Sequence, residues 1–296
     1  MRDVYAGIDQ LVLTESFAAS AVCLALEVSR SGFYAWRSGQ ECRREAMDRQ
    51  LVPEIGDIFW RHRRRYGARR IVMELAARGI ACGVARVARL LKSQGLRAIQ
   101  PKSYQPKTTD SRHGLGYNGN LLKDRNAPLR VNEVWVGDIT YIPLLTSPPR
   151  GRFGYLALLM DLFSRRIVGW DYGLTMDEEL VLGALRRAIR ERQPAAGLIH
   201  HTDRGGQYAS HRYRDVLRRS SIRQSMSAAG NCYDNAFMES CFATVKTELE
   251  LVEYRTSAEA LRELSGYVRY YNAERLHSSL GYVSPAQFEI QTTPEK

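Results

Sequence analysis

The feature that most constrains this chain is a run of strand-like segments that begins near residue 130. Three segments, at 133–144, 153–163 and 166–172, are rich in Val, Ile, Tyr and Trp, which favour strands. Beyond them the patterns alternate between helical and strand-like, at 176–192 (helix), 197–201 (strand), 210–219 (helix), 222–226 (strand), 234–249 (helix) and 257–272 (helix). Three successive strands followed by this alternation predict an α/β domain with one mixed sheet.

The first hundred residues show short helical patterns instead. Apolar residues recur at helical spacing over 20–36, with a polar break in the middle. This pattern is compatible with a helix-turn-helix and equally with any pair of packed helices. A clearer helical pair lies at 66–78 and 84–94.

The clearer pair has an apolar side and a basic side. The residues predicted to face inward are Ile71, Leu75, Ala76, Val84, Val87 and Leu91. On the second helix, Arg86, Arg89 and Lys92 face outward, and further basic residues, including Arg69 and Arg70, lie just upstream. A basic outer face is what a helix that contacts phosphates or the major groove needs, although a solvated surface is the plainer alternative. We therefore predict a helix-turn-helix DNA-binding region over 1–99.

The charge of the chain is unevenly distributed. The net charge is +11, and the first 130 residues hold 23 basic and 12 acidic residues while the remainder holds 20 of each. Such a one-sided excess is typical of proteins that bind nucleic acid. The segment 100–128 is rich in Pro, Gly, Asn and basic residues and has no apolar period. It is predicted to be a basic linker that follows DNA, which leaves 129–296 as a separate core domain.

Three carboxylates of that core domain lie among apolar residues or just after a buried strand. Asp138 lies inside an apolar strand, Asp203 follows a short buried strand, and Glu239 lies between apolar residues of a helix. A charged group among apolar neighbours is costly unless it is paired or binds a metal. Each acid alone has a structural alternative, such as a cap or an ion pair. Together, three hard oxygen donors suit Mg²⁺ or Mn²⁺ better than zinc.

The motifs around these acids match a known pattern. Asp203 and Glu239 are separated by 35 residues, and the surrounding segments read VWVGDITYIP, HHTDRGGQYAS and GNCYDNAFMESCFATVKTELE. These segments resemble the DDE signature of retroviral-type integrases and insertion-sequence transposases. The N-terminal segments SRSGFYAW, YGARRI and RVARLLKSQGL and the C-terminal segment YYNAERLHSSLGYVSPAQF resemble the integrase-like OrfB subunit of the IS-three family.

This resemblance implies a site as well as a fold. It implies an RNase H-like core in which Asp138, Asp203 and Glu239 bind two Mg²⁺ ions, with Mn²⁺ able to substitute. Lys246, seven residues after Glu239, falls on the same helix face and is expected to contact DNA, with an ion pair to Glu250 as the alternative. The other residues expected to contact DNA are Arg69, Arg70, Arg86, Arg89, Lys92, Gln207, Tyr208 and Asn235. His200 and His201 are assigned to packing or support. Asp161 is assigned to a structural or supporting role, with a fourth carboxylate ligand as the alternative.

The resemblance also implies an activity. We expect metal-dependent strand cleavage at the ends of a mobile element, followed by strand transfer by the freed 3′-hydroxyl. Two alternatives remain open at this point: a DNA-binding regulator without catalysis, and an RNase H-like nuclease that does not join. The implied partners are double-stranded DNA (terminal inverted repeats and target DNA), further copies of the chain on that DNA, and an upstream OrfA product as a fusion or a partner.

The cysteines and the hydropathy indicate a location. The five cysteines are scattered and form no CxxC pair, which argues against a zinc module or a disulfide scaffold. No stretch approaches the ~20 apolar residues of a membrane helix. We expect a bacterial cytoplasmic protein, associated with the nucleoid and not with a membrane.

Overall fold

A computed structural model of the protein describes residues 1–39, 43–100, 118–123, 125–145, 152–227, 236–250 and 254–292. The chain divides into two compact units, Met1–Ala98 and Ile99–Lys296. The end of the N-terminal region predicted from the sequence is residue 99. Most of the predicted linker lies outside the described residues.

The N-terminal unit is helical. Its helices are α1 (Arg2–Thr14), α2 (Ala19–Ala25), α3 (Arg30–Arg37), α4 (Arg43–Arg61), α5 (Ala68–Ala77) and α6 (Val84–Ser93). Ser29 begins α3, since its hydroxyl accepts a hydrogen bond from the backbone N–H of Gly32. The pairs α2–α3 and α5–α6 lie where the sequence predicts helical pairs. Helix α4 was not predicted, because Pro53 lies inside it and interrupts its pattern.

Two of the inward predictions for this unit are wrong. Ile71, Leu75, Val87 and Leu91 are buried as expected. Ala76 is exposed, because it directly follows Leu75 and so points away from the face that Leu75 buries. Val84 is 43% exposed, since it occupies the first turn of α6 and the buried face of that helix is formed by Val87, Leu90 and Leu91.

The second unit is built on a five-stranded sheet. The strands are β1 (Val134–Leu144), β2 (Arg152–Asp161), β3 (Ile167–Gly173), β4 (Ile199–Thr202) and β5 (Arg223–Met226), in the spatial order β3-β2-β1-β4-β5. The first three strands pair antiparallel, whereas β4 and β5 add parallel to β1. The mixed sheet predicted from the sequence is confirmed.

Helices cover this sheet. They are α7 (Glu178–Arg192), α8 (Gly206–Ala209), α9 (His211–Arg219), α10 (Ala236–Glu248), α11 (Ser257–Ala273) and α12 (Pro285–Thr292). Helix α7 packs on β2 and β3, and its Leu182, Leu185 and Ala188 join Trp135 of β1 in the main core. Helices α10 and α11 both contact β1. Among the described residues, the structure contains no helix with the length and apolarity needed to cross a membrane.

Candidate active site

Two of the predicted acids are placed together by the strand register. In the parallel pairing of β1 with β4, Gly137 lies opposite Thr202. Asp138 and Asp203 follow these two residues directly, at the point where β4 ends. Neighbouring strands are ~4.8 Å apart, so the two carboxyl groups emerge side by side. Asp138 accepts a hydrogen bond from the backbone N–H of Ile139 (2.8 Å), and Asp203 accepts one from the N–H of Gly205 (2.9 Å).

The third acid lies on helix α10, which packs against β1. Glu239 lies exposed in the first turn of α10. Burial raises the pKa of Asp138 most, and the negative charges of Asp203 and Glu239 raise it further, to about 8, although nearby Lys246 opposes the shift. The charged form of Asp138 is therefore disfavoured by Asp203 and Glu239 in this site. Without a bound cation, Asp138 holds a proton at neutral pH.

The cluster fits a divalent cation by its chemistry. Carboxylate oxygens are the ligands that Mg²⁺ and Mn²⁺ prefer, and a cation would remove the repulsion that raises the pKa of Asp138. In the part of the chain that the structure describes, no group of three or more His, Cys, Asp or Glu side chains is placed to hold a metal ion. The acids interact through space but do not form a preassembled ligand set.

Lys246 lies beside the same cluster. It is half-buried on α10, and its Nζ is 5.4 Å from the centre of the Tyr141 ring. Burial lowers the pKa of Lys246, and the negative charge of Asp138 acts in the opposite direction. The ammonium group is therefore near the acids, as expected from its place on the helix face of Glu239.

The two histidines before Asp203 support the sheet. Both are fully buried; His200 Nε2 lies 2.7 Å from the hydroxyl of Tyr213, and His201 Nδ1 lies 2.8 Å from Ser225 Oγ. Burial lowers the pKa of His200 to about 3, so the ring is neutral and unsuited to act as a base at neutral pH. A Cβ at Gly137 would lie only 2.9 Å from His200 Cε1, which explains the glycine next to Asp138.

Asp161 has a structural role. It is fully buried, and its carboxylate accepts backbone hydrogen bonds from Asn132 (2.6 Å), Phe163 (3.0 Å) and Ser164 (3.0 Å). The bonds from Phe163 and Ser164 close the turn between β2 and β3, and the bond from Asn132 ties Asp161 to the segment before β1, which leaves little capacity for a metal ion. The predicted supporting role agrees with this arrangement.

Family models and relatives match most of the chain. Models described as an integrase core domain match residues 128–232 and 220–285, and a model described as an HTH-like domain matches residues 46–104. An insertion element IS600 protein of 31 kDa from Shigella sonnei is 41% identical over 90% of this chain and 97% of its own length. The transposase InsF of insertion sequence IS3A from Escherichia coli K12 is 39% identical over 92% of this chain and 94% of its own length.

The chain belongs to the IS-three (IS3) family of transposases. It is thus an enzyme of the DDE type, with an integrase core and an HTH-like domain, as the motifs predicted. A solved structure of the simian T-cell lymphotropic virus intasome with a PP2A regulatory subunit is similar at a TM-score of 0.46 and 15% identity, over 78% of this chain and 72% of that chain. The assignment rests on the family models and the sequence relatives.

The basic residues predicted to contact DNA occupy different environments in this transposase. Arg69 and Lys92 are exposed, whereas the Arg70 guanidinium lies 5.3 Å from the centre of the Tyr66 ring. Arg86 Nε and Arg89 Nη2 both bind the carboxylate of Asp48 on α4, at 2.7 and 2.5 Å. The two arginines of α6 are therefore already paired within the protein, which the outward-facing pattern did not reveal.

The other residues predicted to contact DNA differ in their exposure. Gln207 is half-buried and its amide donates to the carbonyl of Met176 (3.1 Å). Tyr208 is only 2% exposed, because its ring packs into the main core against Tyr213, so the prediction that its side chain contacts DNA is wrong for this structure. Asn235 lies outside the described residues.

Sequence reasoning missed a buried polar cluster behind α10. Glu248 at the end of α10 binds Arg275, and Tyr267 of α11 donates to the same carboxylate. The available signal was a glutamate at helical spacing from Cys241 and Val245, on what is otherwise an apolar face. Its partner is distant in sequence, so the pattern alone could not identify the pair.

Proposed function

We propose that this transposase cleaves DNA at the ends of its element and joins the freed 3′-hydroxyl to target DNA, with Asp138, Asp203 and Glu239 holding two Mg²⁺ ions or, in their place, Mn²⁺. The observation that carries the proposal is the electrostatic coupling of these three acids, which come from a strand, a loop and a helix. Acids brought together against their own repulsion are typical of a cation site.

The residues of this chain have distinct tasks in that reaction. When bound, a pair of divalent cations activates the attacking oxygen and stabilises the leaving oxygen of an in-line displacement. Asp138 and Asp203 supply rigid carboxylates, because both are set by the β1–β4 register. To act as a ligand, Asp138 would give up to solvent the proton that it holds at neutral pH. Lys246 offers its ammonium group to a phosphate next to the reacting one.

The remaining partners follow from the HTH-like domain and the basic N-terminal half. We propose that the exposed Arg69 and Lys92 contact the phosphates of the terminal inverted repeats, while the core also binds target DNA. We further propose that copies of the chain assemble on DNA, that an upstream OrfA product acts as a fusion or a partner, and that the protein works at the cytoplasmic nucleoid.

The test is a cleavage and joining assay on oligonucleotides that carry the element's ends. Asp138→Asn, Asp203→Asn and Glu239→Gln should each reduce both steps by orders of magnitude in Mg²⁺, because a neutral amide is a poor ligand for a hard cation. Asp215→Asn is the matched control, since Asp215 is an exposed acid paired with Arg218 on α9.

Each alternative gives its own result in this assay. A nuclease would release cleaved strands in Mg²⁺ without joined products, and a regulator would bind the ends without cutting them. Near-full activity of any of the three acid variants would remove that residue from the proposed site.

A further inference from the structure

The back of α10 is held by a buried ion pair. Glu248 is 7% exposed and Arg275 is 6% exposed. Arg275 Nε lies 2.9 and 3.0 Å from the two carboxylate oxygens, and Nη2 lies 2.8 Å from Oε1. The hydroxyl of Tyr267 donates to Oε2 at 3.0 Å, and the Arg275 guanidinium lies 5.5 Å from the centre of the Tyr271 ring. The pair therefore joins the end of α10 to α11 and to the segment after it.

The pair and the functional residues lie on opposite faces of one helix. Glu248 is nine residues after Glu239, which corresponds to about half a turn beyond two full turns, whereas Lys246 is almost two full turns from Glu239. Their exposure agrees, since Glu239 is exposed and Glu248 is buried. Whatever sets the rotation of α10 at its back also sets the direction of Glu239 and Lys246 at its front.

The other contacts of that back face are largely apolar, apart from a weak hydrogen bond of 4.0 Å between Cys241 Sγ and the Tyr271 hydroxyl. Met238, Cys241, Phe242 and Val245 are buried there. Apolar contacts are not directional, so they permit small rotations and shifts of a helix. A buried ion pair adds little net stability over apolar residues of similar volume, but its geometry specifies one arrangement. The pair is thus better suited to fixing the position of α10 than to stabilising the fold.

We propose that Glu248 and Arg275 are positioning residues, which set the rotation of α10 so that Glu239 faces Asp138 and Asp203 and Lys246 faces the DNA. This inference rests on the proposed function, because it takes Glu239 as a cation ligand. A helix side chain ends ~6 Å from the helix axis, so a rotation of about 20° would move the Glu239 carboxylate by about 2 Å. Misplacement of about 1 Å already costs on the order of 100-fold in rate.

The experiment separates positioning from stability. Arg275→Met leaves the buried Glu248 charged without its arginine, so it should lower the thermal midpoint by roughly 10 °C. Adding Glu248→Gln removes that charge and still offers an acceptor to Tyr267, so the double variant should recover most of the midpoint. If the pair positions α10, the double variant should keep its KM for DNA but lose about 100-fold in kcat for cleavage.

A second measurement requires no catalysis. Mn²⁺ alone is titrated into each full-length protein, and binding is followed by the electron paramagnetic resonance of the free ion. The double variant should bind Mn²⁺ about 10-fold more weakly than the wild type. Glu248→Asp keeps the ion pair with Arg275 on a side chain that is one methylene shorter. It should therefore lose less kcat and less Mn²⁺ affinity than the double variant. All assays are run well below the lowest thermal midpoint of the set.

A second, largely buried ion pair provides the control. Arg192 on α7 binds Glu289 on α12 with two contacts of 2.8 Å, and Ser164 and Arg166 donate to the same carboxylate. Arg192→Met with Glu289→Gln repeats the design away from α10 and should keep both kcat and Mn²⁺ affinity.

Four outcomes decide whether the proposal, or the proposed function beneath it, is wrong. Wild-type kcat and Mn²⁺ affinity in the Glu248→Gln, Arg275→Met variant would overturn the proposal, and so would equal losses in the control. An active Asp138→Asn variant, or inactivity of the wild type both alone and together with the OrfA product, would instead refute the proposed function itself.

Discussion

Replacing Asp138 with Asn should stabilise the protein when no divalent cation is present. The folded protein raises the pKa of this carboxyl from 3.8 to about 8, chiefly by burial and by the charges of Asp203 and Glu239. The folded state binds this proton more tightly than the unfolded state does. Ionisation of Asp138 therefore costs no stability below pH 4, and it lowers the free energy of unfolding progressively as the pH rises from about 4 to about 8. The Asn side chain does not titrate, so this loss is absent in the variant.

The magnitude follows from the same shift. Each pH unit between the unfolded and folded pKa values costs up to about 1.4 kcal/mol. The three units from pH 4 to pH 7 give an upper figure of about 4 kcal/mol, and partial solvent screening of the half-buried Asp138 lowers the expected gain to ~2 kcal/mol at pH 7. The gain should grow from pH 5 to pH 8.

The assay is urea unfolding in EDTA at pH 5, 6, 7 and 8. Asp215→Asn serves as the control and should differ from the wild type by a constant amount. Adding Mg²⁺ at pH 7 should stabilise the wild type more than Asp138→Asn, because the variant has lost a ligand. A difference between Asp138→Asn and wild type that stays flat from pH 5 to pH 8, or that favours the wild type throughout, would show that the three acids are not coupled as described.

Three further predictions concern other parts of the molecule. Lys246→Glu should reduce joining at the element's ends more than Lys246→Ala, with little change in the thermal midpoint, and full joining by Lys246→Glu at moderate salt would rule out the DNA contact. Asp48→Asn should free the two arginines of α6, so the affinity for duplex DNA should rise and its salt dependence should steepen by a slope of about 1 to 2; an unchanged slope would contradict this. Gly137→Ala should cost ~1–3 kcal/mol of unfolding free energy by crowding His200, and neutral stability in urea titrations would refute the packing argument.

The sequence predicts the first three strands of the core domain well, because they are compact runs that are rich in β-branched and aromatic residues. The acids could also be found in this way, since Asp138 and Glu239 interrupt apolar patterns that are otherwise regular. Their mutual approach could not be derived from periodicity. It depends on the parallel pairing of β1 with β4, whose paired residues are 65 positions apart.

The errors share a physical cause. Helical periodicity shows which residues lie on one side of a helix, but it does not show what that side contacts. Arg86 and Arg89 appear free for DNA until the structure places Asp48 beside them. Tyr208 lies in a polar, glycine-rich motif that indicates a surface, yet the short helix α8 turns its ring into the core.

The pairing of Glu248 with Arg275 also has a consequence for protein synthesis. The last of the three acids is made at residue 239, but the arginine that holds its helix comes 36 residues later. At a synthesis rate of ~5–20 residues per second, about 2 to 7 s pass between the two. During that interval a nascent chain carries all three acids but lacks the Glu248–Arg275 ion pair that sets the direction of Glu239. Incomplete chains, whether still on the ribosome or ended early, would therefore cut DNA on the order of 100-fold more slowly than the complete protein.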